Sequence, residues 1–335
     1  MGQYSSCNLN DLEKEEESGE NDFLKFASSN IKTWKKINLN YFISKLSQGA
    51  KNNYNIFCII EGNKGNEISK FVQNHFLDEL LKKIETKKDI KFAIKESFLK
   101  MNKLIKEEEG IKEIYDLRKK VKEEEIKCFK NIINEKKDVK ININIFEEED
   151  KEILDYTGCI LCLILIDSET NKLYFGNIGN SEVLIYKKQN QDKKDIINIK
   201  SFHRPNDETE KQRIKNTSLI INNKLYGIIK SLRSFGNFGY NSENKIIIDE
   251  PDIQEYIINN DDKYIFIGNE AFVNIIKNEN IGDLIKKKEE DDEDISLELF
   301  IDSILEKKIP KYFFNNDTDL GFDNMTCTLI KLKNK

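Results

Sequence analysis

Apolar residues recur along this chain with two periods. Alternation at Ile37, Leu39, Tyr41 and Ile43 predicts a strand within 34–45. Nearly unbroken apolar runs predict further strands at 56–60, 159–166, 172–177, 264–267 and 327–332. Helical spacing puts Ile68, Phe71, Val72, Phe76 and Leu80 on one stripe over 66–81, and a second stripe holds Ile90, Ile94, Phe98, Met101 and Ile105. His75 borders the first stripe and reads as a packed boundary residue rather than a ligand. Residues 182–186 follow the 172–177 strand at the spacing of an antiparallel meander, and 219–221 with 224–229 read as a hairpin across Asn222-Asn223. His203-Arg204-Pro205 leads into a charged helical turn. Residues 279–288 and 297–305 read as helical, with an acidic loop at 289–294. No internal repeat is visible. Strands then helices, twice over, predict an α+β protein: an antiparallel sandwich with helices outside.

Two stretches carry neither period. Residues 1 to about 30 read as a flexible polar leader, which places the folded domain at 31–335. Residues 107–151 are dominated by Lys and Glu, and read as a solvated helix or a disordered insertion outside the core. A chain of 335 residues could hold one large domain or two ordinary ones, and 38% hydrophobic content supplies a core. The net charge of -6 argues against a general nucleic-acid binder. Cys159 and Cys162 fall on opposite faces of the 159–166 strand, which excludes a shared zinc; the six cysteines read as reduced thiols without disulfide partners. No apolar run approaches the ~20 residues needed to span a bilayer.

The start of the chain, Met1-Gly2-Gln3-Tyr4-Ser5-Ser6, fits the N-myristoylation pattern with Gly2 as acceptor. One myristoyl chain binds membranes only marginally, and the acidic stretch 13–17 would be repelled by anionic lipid. A palmitoyl group on Cys7 is then the second signal. The expectation is a lipid-anchored protein on the cytoplasmic face of a membrane.

The candidate chemistry lies in loops at strand ends. Glu61-Gly62-Asn63-Lys64-Gly65 follows the 56–60 strand, Gly268-Asn269-Glu270-Ala271 follows 264–267, and Asp323-Asn324-Met325-Thr326 opens the last strand. Acidic residues at strand ends far apart in sequence are the pattern of a hard-metal site assembled by folding.

Between these come Tyr156-Thr157-Gly158-Cys159, Asn177-Ile178-Gly179-Asn180-Ser181, Phe202-His203-Arg204-Pro205 and Leu232-Arg233-Ser234-Phe235-Gly236-Asn237. In this order, from about residue 41 to 332, the segments resemble the metal-dependent Ser/Thr protein phosphatases (type 2C, the PPM family). The resemblance implies a four-layer α/β/β/α sandwich, two antiparallel sheets flanked by helices. It also implies a pair of Mg2+ or Mn2+ ions at one end, activating water for attack on a phosphomonoester. Carried over, Glu61, Gly62, Glu270 and Asp323 are the metal positions. Asn180 and Asn237 stand where the family has Asp, Asn63 where it has the proposed proton-donor His, and Lys51, at best, where it has a phosphate-gripping Arg.

Those substitutions lead to an expectation of at most one bound ion, or none, and of a pseudophosphatase: a regulatory or scaffold domain binding protein partners or phosphoproteins through a cleft near Lys51, Lys64 and Arg233. The alternative is an active, divergent Mg2+/Mn2+-dependent protein serine/threonine phosphatase. A third reading makes 107–151 the effector and the fold its display.

Overall fold

The computed structural model describes residues 13–33, 38–47, 53–87, 89–135, 153–188, 196–214, 219–241, 246–278, 285, 296–306 and 324–333. Two antiparallel sheets face each other. The first runs β1 (Lys14–Glu20), β2 (Leu24–Ile31), β14 (Met325–Leu332), β13 (Asp262–Gly268), β7 (Glu182–Lys187), β8 (Ile196–Lys200). The second runs β12 (Asp252–Ile257), β6 (Lys172–Ile178), β5 (Gly158–Asp167), β4 (Tyr54–Asn63), β3 (Asn40–Lys45), with the short β11 (Phe235–Gly236) pairing the first residues of β5.

Period-two side-chain alternation assigns each apolar residue to a layer. On β4, Phe57 and Ile59 point between the sheets, where they join Cys162, Ile164, Phe175, Ile265 and Ile330. Ile56, Cys58 and Ile60 point the other way, onto helices α1 (Glu67–Thr86), α2 (Ile90–Lys106) and α3 (Glu108–Glu135). The apolar positions expected on α1, from Ile68 to Leu80, are all buried there. The outer face of the first sheet is covered by α6 (Glu270–Asn278) and α7 (Leu297–Glu306). The result is the α/β/β/α arrangement. Cys159 faces the helices and Cys162 the inter-sheet core, as the strand reading requires, and burial pushes both thiols well up from their usual range.

Four expectations are corrected. The leader does not extend to residue 30: β1 and β2 are integral to the first sheet, and β2 pairs β14 along its whole length. The segment from 107 is not outside the core at its start, because Ile114 is fully buried in the helical layer and Arg118 reaches Glu67. Strands β6 and β7 form no hairpin; they belong to opposite sheets, and the chain crosses between them at Gly179, whose φ of +128° suits glycine alone. Glu270 opens α6 rather than sitting in a loop. The hairpin at 219–229 does form across Asn222-Asn223, both left-handed (φ 51° and 60°), and joins β9 (Ile220–Ile221) to β10 (Lys224–Leu225). Gly2, Cys7, Lys51, Asp323, the 289–294 loop and nearly all of 279–288 lie outside the described residues.

Candidate functional site

Antiparallel pairing gathers the strand ends named above at one end of the sandwich. Asn63, at the end of β4, opposes Gly158, at the start of β5, and Gly158 in turn opposes Gly236 of β11. In the other sheet Gly268, at the end of β13, opposes Glu182 on one side and Cys327 on the other. Asn180 sits on the crossover joining the sheets, Asn237 follows β11, and Glu270 follows β13. Gly62 leaves no room for a side chain: a Cβ would come within 2.8 Å of the Leu39 carbonyl, the Gly65 carbonyl and Ser69 Oγ. This tight packing presses the Glu61–Gly65 segment against the start of α1.

An open cleft of about 260 Å³ lies between these elements. Glu61, Asn63, Lys64, Asn180, Lys230, Ser231, Ser234 and Glu270 line it, with Leu39, Ile160 and Ile228 as its apolar walls. Asn180 Oδ1 accepts the backbone N–H of His203 at 3.3 Å, and its Nδ2 donates to the Lys230 carbonyl at 3.4 Å. Asn237 is fully buried; its Nδ2 donates to Ser234 Oγ at 2.9 Å. Lys64 has φ 58°, and its ammonium donates to Tyr240 Oη and lies 5.4 and 5.1 Å from the Tyr156 and Tyr240 ring centroids. Arg204 Nη2 donates to Glu270 Oε1 at 2.7 Å.

Behind the cleft lies a partly buried polar network that sequence reading missed. His203 is fully buried; its Nδ1 accepts Gly179 N–H at 2.9 Å, so the ring proton sits on Nε2, which faces Asp252 Oδ2 at 3.1 Å. Ser201 Oγ also bonds Asp252. Arg233 bridges Asp252 Oδ1 at 2.8 Å and Glu210 Oε1 at 2.7 Å, and Arg213 holds Glu210 Oε2 at 2.6 Å. The His203 hydrogen bond, with Ser201 and the Arg233 charge, holds the Asp252 carboxyl well below the usual carboxylate range. A depressed carboxyl stabilises the fold above its unfolded pKa of ~3.9 and loses that contribution as pH falls through the folded value. Asp252→Asn is therefore expected to flatten the stability profile below about pH 4, measured by urea melts across pH. An unchanged acid limb would refute it.

The comparisons with known proteins bear on this geometry. A family model described as Protein phosphatase 2C matches residues 105–309, more than half of the chain. The chain belongs to the protein phosphatase 2C family. "Probable protein phosphatase 2C 6" and "Probable protein phosphatase 2C 4" of Paramecium tetraurelia are 25% and 27% identical to it, over 99% and 100% of this chain and 100% of each relative. "Probable protein phosphatase 2C 21" of Arabidopsis thaliana is 24% identical over 99% of this chain and 93% of its own length. Among solved structures, a "C.elegans sex determining protein" superposes with a TM-score of 0.63 at 12% identity, covering 94% of this chain and 66% of that one. The "serine-threonine phosphatase 2C from Toxoplasma gondii" gives 0.55 at 11% identity, covering 96% and 99%. The two structures share the fold. The matched stretch includes Asn180, Asn237 and Glu270; Glu61 lies outside it.

Members of the phosphatase 2C family typically use Mg2+ or Mn2+. In this chain, the structure does bring Glu61, Gly62 and Glu270 to one cleft, as expected. Among the described residues, which do not include Asp323, the donor set does not fit paired dications, which need several carboxylates to offset mutual repulsion. Asn180 and Asn237 are neutral, Glu270 is ion-paired to Arg204, and no group of three or more His, Cys, Asp or Glu converges among the described residues. Arg233 is corrected: it does not line the cleft, because its guanidinium is spent on Glu210, Asp252 and the Glu250 carbonyl. Lys64 does line it, with Lys230, a cation that sequence reading passed over; Arg204 does not line it but pairs with Glu270, which does.

Proposed function

We infer that this phosphatase 2C domain binds phosphorylated protein segments without hydrolysing them, as a regulatory or scaffold protein tethered to a membrane by lipid. One observation carries the reading: where the strand ends meet, Asn63, Asn180 and Asn237 supply amides. An amide cannot balance a dication, and cannot release a proton to a leaving oxygen at neutral pH. A phosphate group, by contrast, meets Lys64 and Lys230 in the cleft, with Ser234 and the Asn63 and Asn180 amides as neutral donors. The proposed tether is myristate on Gly2 with palmitate on Cys7, and rests on the motif at 1–7.

Calorimetry with a phosphoserine peptide and its unphosphorylated twin, in EDTA, tests the binding. Only the phosphorylated form is expected to bind, and Lys64→Ala with Lys230→Ala should weaken it by about tenfold or more, ~1.4 kcal/mol. Equal affinity for the twins would sink the reading. For the tether, Gly2→Ala is expected to move the protein from the membrane to the soluble fraction of co-expressing cells; an unmoved distribution would count against it.

A further inference from the structure

The second carboxylate of the cleft already has a cation. Arg204 Nη2 lies 2.7 Å from Glu270 Oε1, and its guanidinium stacks over Phe202 at 4.3 Å from the ring centroid. The Arg204 backbone N–H is anchored to Asp207 Oδ2 at 2.7 Å. Backbone anchor, ring stack and ion pair together aim the guanidinium at Glu270. Among the lining residues Glu61 and Glu270 balance Lys64 and Lys230, and Arg204, bonded to Glu270 from beside the cleft, adds a positive charge next to that acid. A dication approaching Glu270 meets like charge within one side chain's reach.

We propose that Arg204 is a resident cation that takes the place of a divalent ion at Glu270. The guanidinium offsets the Glu270 charge in the ion's stead and keeps divalent ions from that acid. The inference deepens the reading of the same cleft given above. Its readout is metal affinity, whereas that reading stands or falls on peptide capture in EDTA, so the two can fail separately.

Mn2+ titration of the full chain tests it, by calorimetry and by thermal melting. Three variants are compared with the parent: Arg204→Met, Arg204→Lys, and Arg204→Met combined with Glu270→Gln. The Arg204→Met variant is expected to bind Mn2+ at least about tenfold more tightly than the parent and to show a Mn2+-dependent rise in Tm. Adding Glu270→Gln should abolish that gain, and Arg204→Lys, which keeps the charge, should behave as the parent does. The two side chains are 35% and 34% exposed, so losing the pair costs the fold little. Arg204→Gln carries the same test should the methionine variant not fold. A parent that binds Mn2+ as tightly as Arg204→Met overturns the proposal, as does a variant that gains no affinity.

Discussion

Replacing Arg118 with alanine is expected to cost about 3–5 kcal/mol of stability, the usual penalty for stripping one partner from a buried ion pair. Glu67 is fully buried at the first turn of α1, and its Oε1 accepts from Arg118 Nη1 at 3.0 Å. Its other oxygen has no hydrogen-bond partner among the described residues. The same oxygen packs against Gly65, where a Cβ would approach it to 2.1 Å. Removing the guanidinium leaves a carboxylate that must either stay charged without compensation or protonate. Combining Arg118→Ala with Glu67→Gln should recover much of the loss, because a neutral amide is cheaper to bury. Urea melts of the single and double variants measure both quantities. A loss below about 1 kcal/mol would mean that α3 is not docked. The effect would also reach the cleft, since Glu67 stands just beyond the Glu61–Gly65 segment.

The second large effect is expected at Glu210. This fully buried carboxylate accepts from Arg213 and Arg233 together, and through Arg233 it is joined to Asp252, Ser201 and His203. Arg213 also donates to the carbonyls of Leu232 and Ile246, so one acid ties α5 (Glu208–Arg213) to the segments on both sides of β11. Glu210→Ala leaves two inward-facing guanidinium groups short of an anion, a loss of about 3 kcal/mol or more. Residues 219–241, which carry the Ile228–Ser234 wall of the cleft, should then be cut faster by protease than the rest of the domain. Uniform protection with unchanged stability would show that the network does not hold this wall.

The parts of the fold legible in sequence were those whose burial is apolar and local. The α1 stripe and the β4 and β5 runs read correctly because their buried positions are mostly hydrophobic, with Glu67 and Ser69 the exceptions on α1. Strand β2 did not, because its buried positions include Ser28, Ser29 and Asn30. Ser28 bonds Thr328 and Ser44, while Asn30 bonds the Asn40 carbonyl and the Thr326 hydroxyl. Hydrogen bonds to β14 and across to β3 satisfy the Ser28 and Asn30 side chains, and hydropathy cannot register that. Strand β1 is an edge strand with mostly exposed side chains, and reads as a solvated tail. On α3, two apolar contacts, Ile114 and Leu117, were masked by the surrounding Lys and Glu.

At the candidate site, motif order singled out Glu61, Asn180 and Glu270, which the fold brings to one cleft. It could not foresee which cation would face which acid. Arg233 pairs with residues 23 and 19 positions away, and Arg204 with one 66 away. Only the folded chain shows that Arg233 is structural and that Arg204 meets Glu270.

The most direct test of the account is phosphate release from a phosphoserine peptide by the purified full chain in Mn2+. The parent protein is expected to release no more than a variant carrying Glu61→Gln and Glu270→Gln. Release that requires Mn2+ and disappears in that double variant would contradict the account, and would establish a working phosphatase in spite of Asn63, Asn180 and Asn237.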